Sequence, residues 1–268
     1  MGALDDRVAL VTGAGRLRGI GRATAVALAE MGADVVVTGT GRDPTTFPED
    51  ETQVGWRDIE STADQIRTHG RRALTWVGDV SRAAAVRSLV DLIMQTFGRV
   101  DVLVNNAAYP RGNDRVAVPD LDEAIWRRVL DIKLTGAFLL CQHVVPIMIH
   151  QRWGRIINLS SILGKRGAPD TAAYCTANFG IQGFTQALAL EVARHGITVN
   201  AVCPGAVDTA RMDVLGRGTV WRQQLEVIPM GRAASDEEVA GLIGFLCSPA
   251  AAYMTGQSIN IDGGVVMW

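Results

Sequence analysis

Strong charge of either sign is missing from this 268-residue chain, whose formal net charge is −2. No broad basic field is available for nucleic acid or an anionic membrane surface. Cysteine is scarce: Cys141, Cys175, Cys203 and Cys247 are widely spaced and form no C-x-x-C pair. They read as small apolar residues in a reducing compartment, not as disulfides or metal ligands. The opening stretch MGALDDRVALVTG lacks the basic flank and apolar length of a signal peptide, and Asp6 breaks a myristoylation pattern. Charged residues and glycines interrupt the apolar stretches before membrane-spanning length. No linker or internal repeat divides the chain. The expectation is a soluble cytoplasmic protein with one domain over residues 1–268, no metal, and neither nucleic acid nor membrane as partner.

What is present is apolar residue in short, regularly spaced runs, within a composition that is 48% hydrophobic. RVALVTG, ADVVVTG, RALTWVGDV, VDVLVNNAA, GRIINLSS, ITVNAVCPG and SINIDGG read as strands that are apolar throughout. Between them lie amphipathic patterns, including helices near 121–141, 172–194 and 235–247. Such strands need cover on both faces, which predicts an α/β fold: a doubly wound, Rossmann-type parallel sheet with helices on both sides. Ligands of that architecture sit beyond the carboxyl ends of the strands. Residues 40–55, TGRDPTTFPEDETQVG, read as a surface loop. Residues 206–230 follow a strand end, where a substrate lid would lie.

TGAGRLRGIGRA joins the first strand to the first helix. Gly13, Gly19 and Gly21, with Ile20 between the last two, let the backbone approach a phosphate at the positive end of a helix dipole. The second strand ends at Gly39, so no acidic side chain is offered there to an adenosine ribose. Arg18 and Arg42 are placed to meet a 2′-phosphate instead, which favours NADP(H), with NAD(H) as the alternative.

Seven stretches in order, TGAGRLRGIG, GDV (78–80), NNAA (105–108), NLSS (158–161), Tyr174, PGAVDT (204–209) and IDGG (261–264), resemble the short-chain dehydrogenase/reductase family across nearly the whole chain. The first loop is two residues longer than the usual family spacing. The resemblance implies that Asp79 and Val80 lie at the adenine, Asn106 and Ala107 near the cofactor ribose, and Val207 and Thr209 at the nicotinamide carboxamide. It implies Tyr174 as general acid/base and Ser161 as the hydroxyl that binds the substrate oxygen. It also implies that the helices near 121–141 and 172–194 pair subunits into a homotetramer or homodimer.

Two positions depart from the family. Asn178 stands where a lysine is usual, and Lys133, within WRRVLDIKLTGAF, stands where an asparagine is usual. The exchange is reciprocal. A tyrosine with an ordinary pKa near 10 needs about 4 kcal/mol of help to act as a base at neutral pH. An ammonium about 4–5 Å away supplies on the order of 3–4 kcal/mol at an effective dielectric near 20. Tyr174 and Asn178 share a helix face, and a long Lys133 stem from the neighbouring helix can carry its charge toward them. The expectation is a spatially swapped tetrad of Lys133, Ser161, Tyr174 and Asn178, with Asn178 still able to bind a cofactor ribose. The alternative is an impaired site.

With an intact tetrad the reaction is hydride exchange between a nicotinamide and a carbonyl or secondary alcohol. Tyr109, Leu163, Met212 and Trp221 are expected to touch the small-molecule substrate, with Leu215 in the same apolar wall. Arg111, Arg166 and Arg211 read as solvated cations or as contacts to an acidic group. Two competing functions use the same fold: a cofactor-binding subunit without turnover, and a non-redox lyase or isomerase.

Overall fold

The computed structural model describes residues 2–268. In chain order the elements are β1 (Val8–Val11), α1 (Ile20–Glu30), β2 (Asp34–Gly39), α2 (Glu49–Gln53), α3 (Ile59–Thr68), β3 (Ala73–Val77), α4 (Ala83–Phe97) and β4 (Val102–Asn105). There follow α5 (Glu123–Leu130), α6 (Gly136–Gln151), β5 (Gly154–Leu159), α7 (Ala172–Val192), β6 (Ile197–Pro204), α8 (Thr219–Glu226), α9 (Asp236–Cys247) and β7 (Ser258–Ile261). The seven strands form one sheet in the order β3-β2-β1-β4-β5-β6-β7, and every pairing is parallel. The single-domain, doubly wound sheet expected from the apolar runs is therefore present.

Burial explains the strand composition. β1, β4, β5 and β6 are buried at every position, because helices cover both faces. One core lies between the sheet and α1, α3 and α9, through Leu28, Ile66, Val35, Ile157 and Ile243. The other lies under α4, α6 and α7, through Leu89, Ile93, Leu103, Leu140, Met148 and Leu188. The edge strands β3 and β7 are only partly buried.

Two sequence readings are corrected. The helix expected to end near 141 continues to Gln151, and Glu123–Gln151 is long and apolar enough by composition to cross a membrane. Its apolarity is that of a core helix: Leu139, Leu140, Cys141, Val144 and Met148 are buried against the sheet side of the fold. Residues 40–55 are more than a surface loop, because they contain α2, whose Glu51 is completely buried. The four cysteines are free, and burial pushes Cys141 and Cys247 up to about 12, so these two are inert thiols.

Polar ties hold the strand ends that carry the site. Asn105 on β4 donates to Asn158 on β5 at 2.8 Å, and Asn158 donates to Thr185 on α7 at 2.9 Å. Because these amides are buried, the bonds fix one arrangement of β4, β5 and α7.

Candidate active site

A cavity of about 330 Å³ opens at the carboxyl ends of β4, β5 and β6. The order in which strands are added to the sheet switches sides between β1 and β4, so the glycine loop after β1 borders the same crevice. Lys133, Ser161 and Tyr174 all line the cavity, together with Ile20, Asn106, Leu163, Val207, Thr209 and Met212. Residues 206–230 contribute much of its wall, including Arg211, Gln224, Val227 and Ile228.

Each reacting side chain is placed by local chemistry. Ser161 follows β5; its Oγ accepts the Leu163 amide at 3.1 Å, which leaves the hydroxyl proton free to donate. Its neighbour Ser160 is spent on structure, donating to the Asn178 carbonyl and accepting from Gln182, both at 3.0 Å. Tyr174 stands on the first turn of α7 and is half-buried. Lys133 projects from a single π-helical turn, Asp131–Thr135, between α5 and α6. Such π-turns reposition a side chain without breaking the helix, and they recur at functional sites.

Lys133 is buried, and that burial, with Arg211 adding repulsion, lowers its pKa to about 7. It is thus poised between ammonium and amine at neutral pH. Two arginines lie over the Tyr174 ring. The Arg115 guanidinium stacks 3.8 Å from the Tyr174 ring centroid, and Arg211 lies 5.5 Å from it. Arg115, in the loop after β4, belongs to the site although no spacing or periodicity in that loop marks it. Burial lowers the pKa of both Arg111 and Arg115, yet an arginine at neutral pH stays protonated.

Asn178 behaves differently from its three expected companions. It is buried and does not line the cavity; its Nδ2 donates back to the Tyr174 carbonyl at 2.8 Å. Its Oδ1 is buried without a hydrogen-bond partner. The structure therefore brings Lys133, Ser161 and Tyr174 to one cavity and leaves Asn178 behind Tyr174, with an unused acceptor.

The glycine loop forms a cradle of the kind a dinucleotide phosphate requires. Gly13 has φ +69°, and a Cβ there would come 3.0 Å from the Ala107 Cα. A Cβ on Gly21 would lie 2.5 Å from the Gly13 carbonyl, so only glycine lets α1 start this close to the loop. Asn106 locks the cradle to β4 by donating to the carbonyls of Thr12 and Gly13, at 2.8 and 2.9 Å. Ala107 donates its amide to Thr12 Oγ1. Gly19 donates to Asp236 at 2.7 Å, fixing the mouth of α1 against α9. Asp79, at the end of β3, is held by Ser81 and Arg128, and Val80 packs into the core beside Gly136.

The two extra loop residues are held by the segment first read as a surface loop. Glu51 accepts the Leu17 amide at 3.0 Å and Arg42 at 2.7 Å, and Trp56 donates to the Gly15 carbonyl at 2.7 Å. Arg18 and Arg42, expected to meet a 2′-phosphate, are both engaged by carboxylates. Arg18 is paired with Asp50 at 2.6 Å, with Asp208 at 3.6 Å and with Asp213. Arg42 is paired with Glu51 and with Asp58 at 3.0 Å, and its guanidinium covers the Phe47 ring. Both cations are already neutralised. Moreover, Asp58 approaches the end of β2 from α3, lying 3.4 Å from where a Gly39 Cβ would be.

Of the expected substrate contacts, Leu163 and Met212 line the cavity; Tyr109, Trp221 and Leu215 do not. Tyr109 packs on the small cluster of Val129, Ala173 and Ala177, and its carbonyl accepts from Arg211. Trp221 is buried on α8 with the Arg217 guanidinium 4.7 Å over its ring. Of the three arginines with a solvated-loop alternative, Arg111 and Arg211 are half-buried cavity residues, and Arg166 lines the cavity and is exposed.

A sequence model described as enoyl-(acyl carrier protein) reductase matches residues 13–266. The 3-oxoacyl-[acyl-carrier-protein] reductase of a Synechocystis strain is 40% identical over 269 residues, covering 100% of both chains. The FabG protein of Aquifex aeolicus, of the same name, is 37% identical and covers 98% of each chain. A crystal structure of a Sinorhizobium meliloti 1021 chain, assigned to the short-chain alcohol dehydrogenases, superposes with a TM-score of 0.86 at 37% identity over 98% of this chain and 97% of that one. The chain belongs to the short-chain dehydrogenase/reductase family.

Proposed function

We propose that the protein is an NAD(P)-dependent oxidoreductase that interconverts a carbonyl and a secondary alcohol through a rearranged catalytic group. The observation that carries this reading is the convergence of Lys133, Ser161 and Tyr174 on one cavity beside the glycine cradle. A nicotinamide cofactor, when bound, supplies or accepts the hydride. The loop from Gly13 to Gly21 would hold its phosphates, Asp79 and Val80 its adenine, Asn106 and Ala107 its ribose, and Val207 and Thr209 its carboxamide.

Within that frame Ser161 donates its free hydroxyl proton to the substrate oxygen and sets its position. Tyr174 gives or takes the proton at that oxygen. Positive charge from Arg115, Arg211 and protonated Lys133 stabilises the negative charge that develops there during transfer. Lys133, with a pKa of about 7, also suits proton exchange with the cavity. Asn178 supports Tyr174 from behind through the first turn of α7, and its burial away from the cavity argues against the ribose contact expected of it. Saturation of Arg18 and Arg42 by carboxylates, with Asp58 near the end of β2, supports NAD(H) over NADP(H). Residues 206–230 act as the substrate lid. Exposed Phe138 on α6 and Phe179 on α7 support a homodimer or homotetramer built on those helices.

The test is turnover of a carbonyl panel by Lys133→Ala and Lys133→Asn, with folding and cofactor binding measured alongside. The expected outcome is a fall of about 10²–10⁴-fold in kcat, the worth of a catalytic proton-transfer group. Wild-type turnover in both variants removes Lys133 from the mechanism. Cofactor binding by the wild-type chain without reduction of any carbonyl returns the protein to the non-catalytic subunit class.

A further inference from the structure

Five basic side chains line the cavity: Arg111, Arg115, Lys133, Arg166 and Arg211. No aspartate or glutamate lines it. They arrive from separate parts of the chain, the first two from the loop after β4, Lys133 from the π-turn, and the others from the loops after β5 and β6. The fold, not a local run of charge, collects them. Two of the guanidinium groups have buried nitrogens with no hydrogen-bond partner: Nε and Nη1 of Arg115, and Nη2 of Arg211. Asp114 forms an ion pair with Arg115 through Oδ2, 3.7 Å from Nε and beyond hydrogen-bond reach, while its Oδ1 accepts from the Gly112 amide. One carboxylate does not balance this many cations. Buried donors on charged groups are costly unless something accepts from them.

The remaining wall is apolar, formed by Leu163, Met212, Val227 and Ile228. A cavity of about 330 Å³ bordered by the cofactor cradle leaves room for a short carbon skeleton. We infer that the substrate is a small oxo- or hydroxycarboxylate, whose free carboxylate is bound by Arg115 and Arg211 and whose carbonyl or hydroxyl oxygen meets Ser161 and Tyr174. This inference rests on the oxidoreductase reading above. In the reducing direction the carbonyl carbon gains a hydride from the reduced nicotinamide and the oxygen gains a proton from Tyr174. The carboxylate is unchanged, and the nicotinamide is left oxidised. The planar carboxylate suits the flat guanidinium fork, and the acid, not its ester, brings the negative charge that the cavity lining lacks.

The experiment has two arms at constant ionic strength. In the first, kcat/KM is measured for 3-oxobutanoate and 4-oxopentanoate against their methyl esters. The acids are expected to exceed the esters by about 10–100-fold, the worth of a charge-assisted hydrogen bond. That ratio should fall toward one in Arg115→Gln and Arg211→Gln and recover in part in Arg115→Lys. Esters equal to or better than acids in the wild-type chain overturn the inference and leave the oxidoreductase reading standing. The second arm needs no turnover: Tm is followed without cofactor in succinate, in dimethyl succinate and in inorganic phosphate. A rise with succinate alone, lost in the arginine variants, supports the inference even where no carbonyl is reduced, and in that event it is the oxidoreductase reading that falls. A rise with phosphate alone assigns the cavity to phosphoryl groups and overturns the carboxylate assignment.

Discussion

At the glycine-loop end of the crevice, Arg18 and Arg42 are surrounded by Asp50, Asp208, Asp213, Glu51 and Asp58. At the cavity end, Arg115 and Arg211 keep buried nitrogens with no acceptor, and Asp114 forms an ion pair with Arg115. Both groups lie on loops after strand ends, and both looked alike as sequence: isolated arginines among glycines and polar residues. The difference is how fully the fold balances the charge: Arg18 and Arg42 each have two or more carboxylate partners, whereas Arg115 and Arg211 have only Asp114 between them among the described residues. Where the balance is full, the arginine builds the cradle; where it is not, the charge remains available to a ligand.

The internally completed end is the easier one to break. Glu51 is fully buried and joins the Leu17 amide to Arg42. Glu51→Gln removes the charge while keeping the shape, leaving Arg42 with Asp58 alone. A loss of about 3–5 kcal/mol is expected, the usual cost of stranding one partner of a buried pair. The denaturation midpoint in urea reads it directly.

The cavity end should respond in the opposite direction. Lys133 has a folded pKa of about 7, below its ordinary value of 10.5. Between those two values the unfolded chain binds more protons than the folded one, so this lysine makes stability rise with pH across that window. Below about pH 7 the cost of burying its charge is present in full. Lys133→Met should therefore be more stable than wild type at pH 6–7, by up to a few kcal/mol at about 1.4 kcal/mol per pKa unit. The advantage should shrink toward pH 10. Denaturant titrations at pH 6.5, 8 and 10 measure the trend, and an advantage independent of pH would show that Lys133 is not held as described.

The smallest effect is expected at Arg18. It has three carboxylate partners, but its side chain is 34% exposed, and water screens the ion pairs. Arg18→Ala should cost at most about 1 kcal/mol, and less in high salt. A loss as large as that of Glu51→Gln would mean that the two ends of the loop act as one network.

The architecture was legible in the sequence because a doubly covered parallel sheet demands strands that are almost wholly apolar; VALV is apolar throughout, and ITVNAVCP is so except at Thr198 and at Asn200, whose amide is hydrogen-bonded. Tyr174, Ser161 and Lys133 were legible through their motifs, and the cavity unites them. Arg115 was not, since its role depends on which way an irregular loop folds back over α7. Glu51 was misleading for a related reason: an acidic residue amid Pro, Asp and Thr resembles solvent-facing loop until an amide and an arginine enclose it. Trp221 looked like a substrate wall because aromatic residues often are one, yet its ring is buried under Arg217 and does not line the cavity.

One consequence follows from how sparingly this chain uses lysine. Only two occur, Lys133 and Lys165, while the other 24 of the 26 basic residues (26 − 2) are arginines. Lys165 is tied to the carbonyls of Ser258 and Trp268, at 2.8 and 2.7 Å. Lys133 is the one whose amine is substantially uncharged near pH 7, and it faces the cavity. An acylating or reductive-alkylating reagent small enough to enter would therefore mark Lys133 in the reacting chamber in preference to Lys165. The chain carries a built-in handle for covalent labelling, and a carboxylate occupying the cavity should shield it.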